Sequence, residues 1–305
     1  MVEILKTAIV ILNYNDFKNT SRFVKEIKDY KSIDKILLVD NLSPNGDLEY
    51  LKTLEGGKIE VISSEKNGGY SYGNNFGVKH LGDEYDNIII SNPDVSVEEK
   101  AIIDSIKKLN SRENIAVVAP RMKFTSGFAR RSSWKIRTYP LDLIHTTRLL
   151  ELLFYPVLRS GEYSEKDYTK GDLKVDCIAG SFFIIKSKVL KEIDYFDENV
   201  FLFYEEDIIG KKLKEKGYEI YSLNDIHFMH YESQTIGKVF SYGKKISMLN
   251  KSKIYFQTKY NKINILQKLL LYILILCRNI ELLVEIPARK LIQFIKSKKK
   301  IEKKL

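Results

Sequence analysis

Strand-length apolar runs at 8–12, 36–39, 59–62, 88–90 and 115–119 alternate with helix-period segments through the first 120 residues. Nothing else in the chain restricts its fold as much. The segments at 20–30 and 98–110 read as helices, and in the second of them Ile102, Ile103, Ile106 and Leu109 fall on one face. Strands that alternate with helices imply right-handed βαβ units and a mostly parallel sheet, so the expected class is α/β. The second half is less regular. Residues 121–172 are rich in Arg, Tyr and Gly, show no long strand and read as insertions over one face of the sheet. A buried strand is expected at 181–185, a short helix at 188–193, a helix at 207–216 capped by Gly217, and a short strand at 218–222.

Length and charge bound what such a sheet serves. A chain of 305 residues accommodates one large domain of roughly 250 residues plus an appendage, because cores stop growing near that size. Cys177 and Cys277 have neither a pairing pattern nor metal-site spacing, which suggests a reducing compartment and no zinc site. The amino terminus turns polar at Asn13 too soon for a signal peptide and reads as a first strand. The net charge is +10, yet 286–305 holds eight basic residues against the single acid Glu302, which leaves about +3 for the rest. No nucleic-acid motif accompanies the charge, so a nucleic-acid partner is not expected.

Four segments carry candidate chemistry. The run 88–95 stops at Pro93, which removes a backbone donor, ends the ladder and leaves Asp94 to point away from the core. An acid at that end of an open α/β sheet is placed to meet a metal or a phosphate, although Asn-Pro-Asp is also ordinary turn chemistry. Asp40 follows the second strand directly and suits a base or ribose contact, or a helix cap. The stretch 67–77, with Asn67, Gly68, Gly69 and Asn75, offers close backbone approach and a helix start; it is neither a dinucleotide fingerprint nor a P-loop. Glu205, Glu206 and Asp207 are consecutive acids whose mutual repulsion tends to raise at least one pKa, giving either a general base or a solvated helix start. His227 and His230 fall in the fourth segment, where an imidazole serves as a ligand for Mn²⁺ or Mg²⁺ or as a structural group.

In this order the segments resemble the family-2 inverting glycosyltransferases of the GT-A fold, especially the bacterial branch of rhamnosyltransferases and galactofuranosyltransferases that build surface polysaccharides. The resemblance rests on 10–15, Val39-Asp40-Asn41, 67–77, Asn92-Pro93-Asp94, Gly180, Phe203-Tyr204-Glu205-Glu206-Asp207, and His230 with Ser233, and covers about 6–238. It implies a nucleoside pocket from Asn13, Asn15, Asp40, Asn67, Gly68, Gly69 and Asn75. Asp94 corresponds to the last acid of the family's metal motif, with Asn92 in place of the first. Together with His230 it would hold a divalent metal, Mn²⁺ or Mg²⁺, against the diphosphate. Asp207 resembles the catalytic base, with Glu206 as second choice. Ile209 departs from the pattern, because branch members often carry a further acid there; this bears on acceptor contacts and not on the base. The segment 124–140, with Arg130, Arg131 and Arg137, resembles a part of the branch that contacts phosphates or acceptor, and equally reads as a solvated basic loop.

The expected partners are a nucleoside-diphosphate sugar and a glycan or lipid-linked acceptor. Expected domains are a catalytic one at 1–262, with a nucleotide-sugar half near 1–120 and an acceptor half near 121–262, then an amphipathic helical extension at 263–305 with a basic tail. The nine apolar residues at 269–277 reach only about 14 Å as a helix, too short to cross a bilayer. An apolar stripe continues through Leu282, Leu283, Ile286, Leu291, Ile292 and Ile295 into the lysines, as suits a helix lying on an anionic membrane surface, or a contact within a homo-oligomer. The location so implied is cytoplasmic, peripheral on the inner face of the cell membrane. Two other classes stay open. A sugar-nucleotide nucleotidyltransferase would show a glycine-rich basic loop where Asn13-Tyr14-Asn15-Asp16 stands, and a non-catalytic assembly protein would lack Asp94, Asp207 or His230.

Overall fold

A computed structural model describes residues 5–129, 132–231 and 240–302. The order is β1 (Thr7–Asn13), α1 (Phe17–Ile27), β2 (Lys35–Asp40), α2 (Asp47–Lys52), β3 (Ile59–Ser63), α3 (Gly69–Leu81), β4 (Asn87–Ser91), β5 (Val95–Val97), α4 (Glu99–Asn110) and β6 (Ile115–Phe124). Short elements follow: β7 (Gly127–Phe128), β8 (Ser133–Trp134), α5 (Tyr139–Ile144), α6 (Arg148–Leu153), α7 (Tyr155–Leu158), α8 (Glu165–Tyr168), β9 (Leu173–Val175) and β10 (Cys177–Ile178). The chain closes with β11 (Phe182–Lys186), α9 (Ser187–Glu192), α10 (Glu205–Glu215), β12 (Glu219–His230), α11 (Tyr242–Lys259) and α12 (Ile265–Glu302).

The alternation seen in the sequence is thus the alternation of the fold. One mixed sheet runs β3-β2-β1-β4-β11-β6-β12-β5, with β7 on β6 and β9 on β12; β8 and β10 pair separately. Strands β1 to β4 are mutually parallel, and β11 is antiparallel to both β4 and β6. Strand β1 lies between β2 and β4, so the order reverses at β1, and ligand sites of open α/β sheets form beyond strand ends at such a point. Continuous apolar strands follow from burial on both faces. Ile9 and Ile11 enter one core layer with Phe23 and Ile27 of α1, while Ala8 and Val10 enter the other with Val78 of α3.

Three expectations change in the structure. Ile103, placed on the apolar face of α4, is exposed, whereas Ile102 and Leu109 are buried. The strand expected at 218–222 continues to His230, because β12 pairs with β6 as far as Met229, with an irregularity between Leu223 and His227, and its last residues also pair antiparallel with β5 on the other side. Pro93 ends β4, but Asp94 does not point into solvent: it is 4% exposed.

The chain packs as two compact units, 1–136 with 161–236, and 137–160 with 237–305. The segment 137–160 and α11 thus share a unit with α12, whereas the sequence alone suggested a boundary at 262. Within this second unit the buried Lys253 of α11 donates to the Asp142 carbonyl at 3.2 Å and to Thr146 Oγ1 at 2.9 Å. Burial lowers its pKa to about 8. No helix among the described residues is long and apolar enough to cross a membrane.

Candidate active site

Every site residue described here lies in the first unit. At the carboxyl end of β1 the buried Asn13 donates from Nδ2 to Asp40 Oδ1 at 3.0 Å and to Asp47 Oδ2 at 3.0 Å, and accepts from Thr20 Oγ1 at 2.8 Å. Asp40, 1% exposed, also accepts from Ser43 Oγ at 2.5 Å and from the Ser43 amide at 3.0 Å. Asn15 has φ of +53°, donates its amide to Ser43 Oγ at 2.9 Å, and keeps a buried Oδ1 with no hydrogen-bond partner. The structure therefore brings Asn13, Asn15 and Asp40 together, as expected, through Ser43 and Asp47. Neither of those two was singled out in the sequence, since nothing local marks a loop serine or a helix-start aspartate.

The 67–77 segment is placed by Asn41, whose Nδ2 donates to Asn67 Oδ1 and to the Gly69 carbonyl, both at 3.1 Å. Two of its glycines are required by packing. Gly69 has φ of +88°, and a Cβ there would sit 2.0 Å from the Phe201 carbonyl oxygen, while one at Gly77 would meet Val10 and Val39 at 2.8 Å. Close backbone contact with the sheet and with residue 201 thus requires glycine. Asn75 faces inward: it donates to the Phe196 carbonyl at 2.9 Å and to Glu198 Oε1 at 2.7 Å, and accepts from the Phe196 amide at 3.0 Å.

Asp94 and His230 are brought into contact across the β5–β12 pairing, with His230 Nε2 3.1 Å from Asp94 Oδ2. His230 Nδ1 is buried and has no hydrogen-bond partner. The Tyr231 amide donates to the Asp94 carbonyl at 2.9 Å, and Arg22, whose Nη2 donates to the Val95 carbonyl, stacks 4.1 Å over the Tyr231 ring. The donor set of one carboxylate and one imidazole would suit Mn²⁺ or Mg²⁺, with Nε2, the nitrogen that faces Asp94, as the imidazole ligand atom. Among the described residues no group of three or more His, Cys, Asp or Glu is placed to hold a metal. Ser233 and the basic pair Arg130 and Arg131 lie outside the described residues, and Arg137 belongs to the second unit, where its carbonyl accepts from Asn261 at 3.0 Å.

The acidic triplet opens α10 after two non-glycine residues in the left-handed region, Phe203 and Tyr204, both with φ of +72°. Such strain concentrates at functional sites. The acids are not a solvated helix start: Glu205 is 5% and Asp207 0% exposed. Burial, then repulsion from Glu206, raises the Glu205 pKa to about 8, and its Oε2 has no hydrogen-bond partner. Glu206 Oε1 accepts from the Gly180 amide at 3.1 Å, and the Tyr70 hydroxyl, kept neutral by burial and the nearby Glu206 and Glu205, donates to the Gly180 carbonyl at 2.6 Å. The next carbonyl, of Ser181, accepts from the Asn92 amide at 2.9 Å. One two-residue stretch thus ties α10 to the turn that carries Asp94.

Asp207 Oδ2 accepts from Trp134 Nε1 at 3.2 Å. Trp134 stands on β8, paired to β10 at Cys177. The sequence reading passed over it, although the signal was available, for Trp134 is the chain's single tryptophan.

Residues 8–194 match the family described as Glycosyl transferase family 2. The chain is 26% identical over 201 residues to the low-salt glycan biosynthesis hexosyltransferase Agl10 of Haloferax volcanii, a match over 65% of this chain and 58% of that protein. Among solved structures it resembles the mannosyltransferase PcManGT of Pyrobaculum calidifontis in complex with GDP-Man and Mn²⁺, with a TM-score of 0.57 and 12% identity over 85% of this chain and 65% of that one. It also resembles S. aureus TarS 1–349 in complex with UDP-GlcNAc, with a TM-score of 0.57 and 13% identity over 87% of this chain and 69% of that one. At such identities the structural likeness speaks to the fold, which is that of the GT-A glycosyltransferases.

Proposed function

The chain belongs to glycosyl transferase family 2, and from that premise we propose that it moves a hexose from a nucleoside-diphosphate sugar to a glycan acceptor, with inversion at the anomeric carbon. The acceptor of this reading is lipid-linked, the process is assembly of a surface polysaccharide, and the site of work is the inner face of the cell membrane, reached through 263–305. One observation carries the catalytic part: the Asp94–His230 pair and the Glu206–Asp207 pair are joined through Gly180 and Ser181 beyond the strand ends where the sheet order reverses.

Asn13, Asn15, Asp40, Asn67, Gly68, Gly69 and Asn75 belong to the nucleoside end. Asp40 is oriented by Asn13 and Ser43, so that base or ribose meets a preformed surface. Asp94 and His230 would hold Mn²⁺ or Mg²⁺, which supplies positive charge against the departing diphosphate. As the acceptor oxygen bonds the anomeric carbon, the bond to the diphosphate oxygen breaks on the opposite face. Asp207 takes the acceptor proton, with Glu206 as second choice. In the resting structure Trp134 holds Asp207 Oδ2, so an acceptor hydroxyl gains the base by replacing the indole N–H.

A donor screen tests this. Nucleoside diphosphate release is followed with uridine-, thymidine- and guanosine-diphosphate sugars, with and without Mn²⁺ or Mg²⁺, and the product anomer is assigned by NMR. Metal-dependent release with an inverted product is expected. Retained configuration would remove the direct displacement, and turnover indifferent to metal would remove the role given to Asp94 and His230.

A further inference from the structure

In the second unit α12 has two opposite faces. Residues of an α-helix advance by roughly 100° each, and on that wheel Leu271, Arg278 and Leu282 share one side. These three are buried. The other side is exposed and apolar: Leu269, Ile273, Leu276, Ile280 and Leu283 follow one another at spacings of three and four residues, at 49% exposure or more. With Leu266, Leu270, Tyr272 and Val284 the exposed apolar arc spans roughly 160°, wider than the two-position seam of a coiled coil. No charged residue of 265–284 falls within it.

A second element widens this face. Glu281 lies at the edge of the arc, and its carboxylate accepts from the amides of Arg148 and Leu149 at 2.8 and 3.2 Å, while Arg278 Nη1 donates to it at 2.9 Å. That contact seats the first turn of α6 against α12. Leu149, Leu152 and Leu153, at the i, i+3, i+4 spacing of one helical face, are all exposed above 60%, and the exposed Phe154 and Tyr155 follow them. Exposed apolar surface of this extent on neighbouring elements marks an interaction site.

We propose that α6 and α12 together dock the protein in the interfacial layer of an anionic membrane, with Leu149, Leu152, Leu153 and Phe154 entering beside the α12 arc. This deepens the peripheral-membrane reading above and rests on it: that reading used only 263–305, and the α6 segment is a second contact. The occupant is chosen by charge. In the sequence the apolar arc is followed by 286–305, with eight basic residues against one acid, which complements anionic headgroups and would repel a second copy of itself. No described helix crosses a bilayer, so the arc lies in the plane of the interface.

The test is sedimentation of the full chain with vesicles of phosphatidylcholine alone, or of equal parts phosphatidylcholine and phosphatidylglycerol. Wild-type protein is expected to sediment with the mixed vesicles only. Leu152→Glu/Leu153→Glu is expected to reduce the bound fraction about tenfold or more, because two apolar side chains lose their burial. Lys298→Gln/Lys299→Gln/Lys300→Gln is expected to weaken binding to the mixed vesicles. Far-ultraviolet circular dichroism and diphosphate release in the absence of vesicles, both unchanged, show that the leucine variant is folded and active. Wild-type binding by the leucine variant overturns the α6 contact. A wild-type dimer that ignores vesicles and falls to a monomer in that variant overturns the lipid as occupant. Protein inactive on every donor that still sediments in the expected pattern supports docking and removes only the catalytic reading.

Discussion

The two ends of the candidate site differ in which polar groups find partners. At the proposed nucleoside end Asn13, Asp40, Asn41 and Asn75 bind one another, their loops and their neighbours, so that their side chains are fixed before any ligand arrives, although Asn15 Oδ1, Ser71 Oγ and Asn74 Oδ1 are buried without partners. At the reaction end interior polar atoms are left without partners: His230 Nδ1 and Glu205 Oε2 are buried and unsatisfied, and Phe203 and Tyr204 hold strained backbone. A buried polar group without a partner costs on the order of 1–3 kcal/mol, so such groups persist where a charged ligand or a reaction uses them. Under the proposed function the first set shapes the nucleoside pocket and the second does the chemistry.

The largest expected effect is at the reaction end. Asp207→Asn should lower kcat by about a thousandfold with the melting temperature nearly unchanged, the magnitude usual for a positioned base; activity near wild type would reassign the base. Asp94→Ala and His230→Ala should each abolish transfer and weaken Mn²⁺ binding, measured by titration calorimetry, and unaltered Mn²⁺ affinity would break the pairing of these two groups. Asn13→Ala sharpens the comparison from the other side: it strands Asp40, Asp47 and Thr20, and should cost roughly 3 kcal/mol of stability in urea unfolding while KM for donor rises. Trp134→Phe keeps the ring and removes one hydrogen bond to a carboxylate, so kcat should change by about tenfold.

A further effect is one of pH. The Glu205 pKa is raised in the fold from 4.5 to about 8, so as pH rises through that window the unfolded chain sheds the proton first and stability falls. Glu205→Gln should therefore raise the melting temperature at pH 8 and leave it little changed in acid. An equal gain at both would mean that the acid is not held neutral.

The strands 8–12, 36–39 and 88–90 were legible because burial on both faces leaves an unbroken apolar run, and α4 was legible from its period. Its Ile103 was not, since a period gives a face and not the width of what covers it. Asp94, Asp207 and His230 were legible as residue types at element ends. Their burial was not, nor was the hold of Trp134 on Asp207, which joins positions 73 residues apart. The glycines of 67–77 suggested ligand approach; contacts with Val10, Val39 and Phe201, invisible in the local sequence, give two of them a packing role.

By itself, then, the sequence determined the α/β class and the residues that carry charge at strand and helix ends, because apolar period and turn chemistry are local properties of the chain. Only the tertiary structure decided which of those charges meet. The 3.1 Å contact of His230 with Asp94 depends on β12 running on past 222 to pair with β5, and the elevated pKa of Glu205 depends on what covers it. Contact and desolvation arise between segments distant in the chain, and no local pattern encodes them.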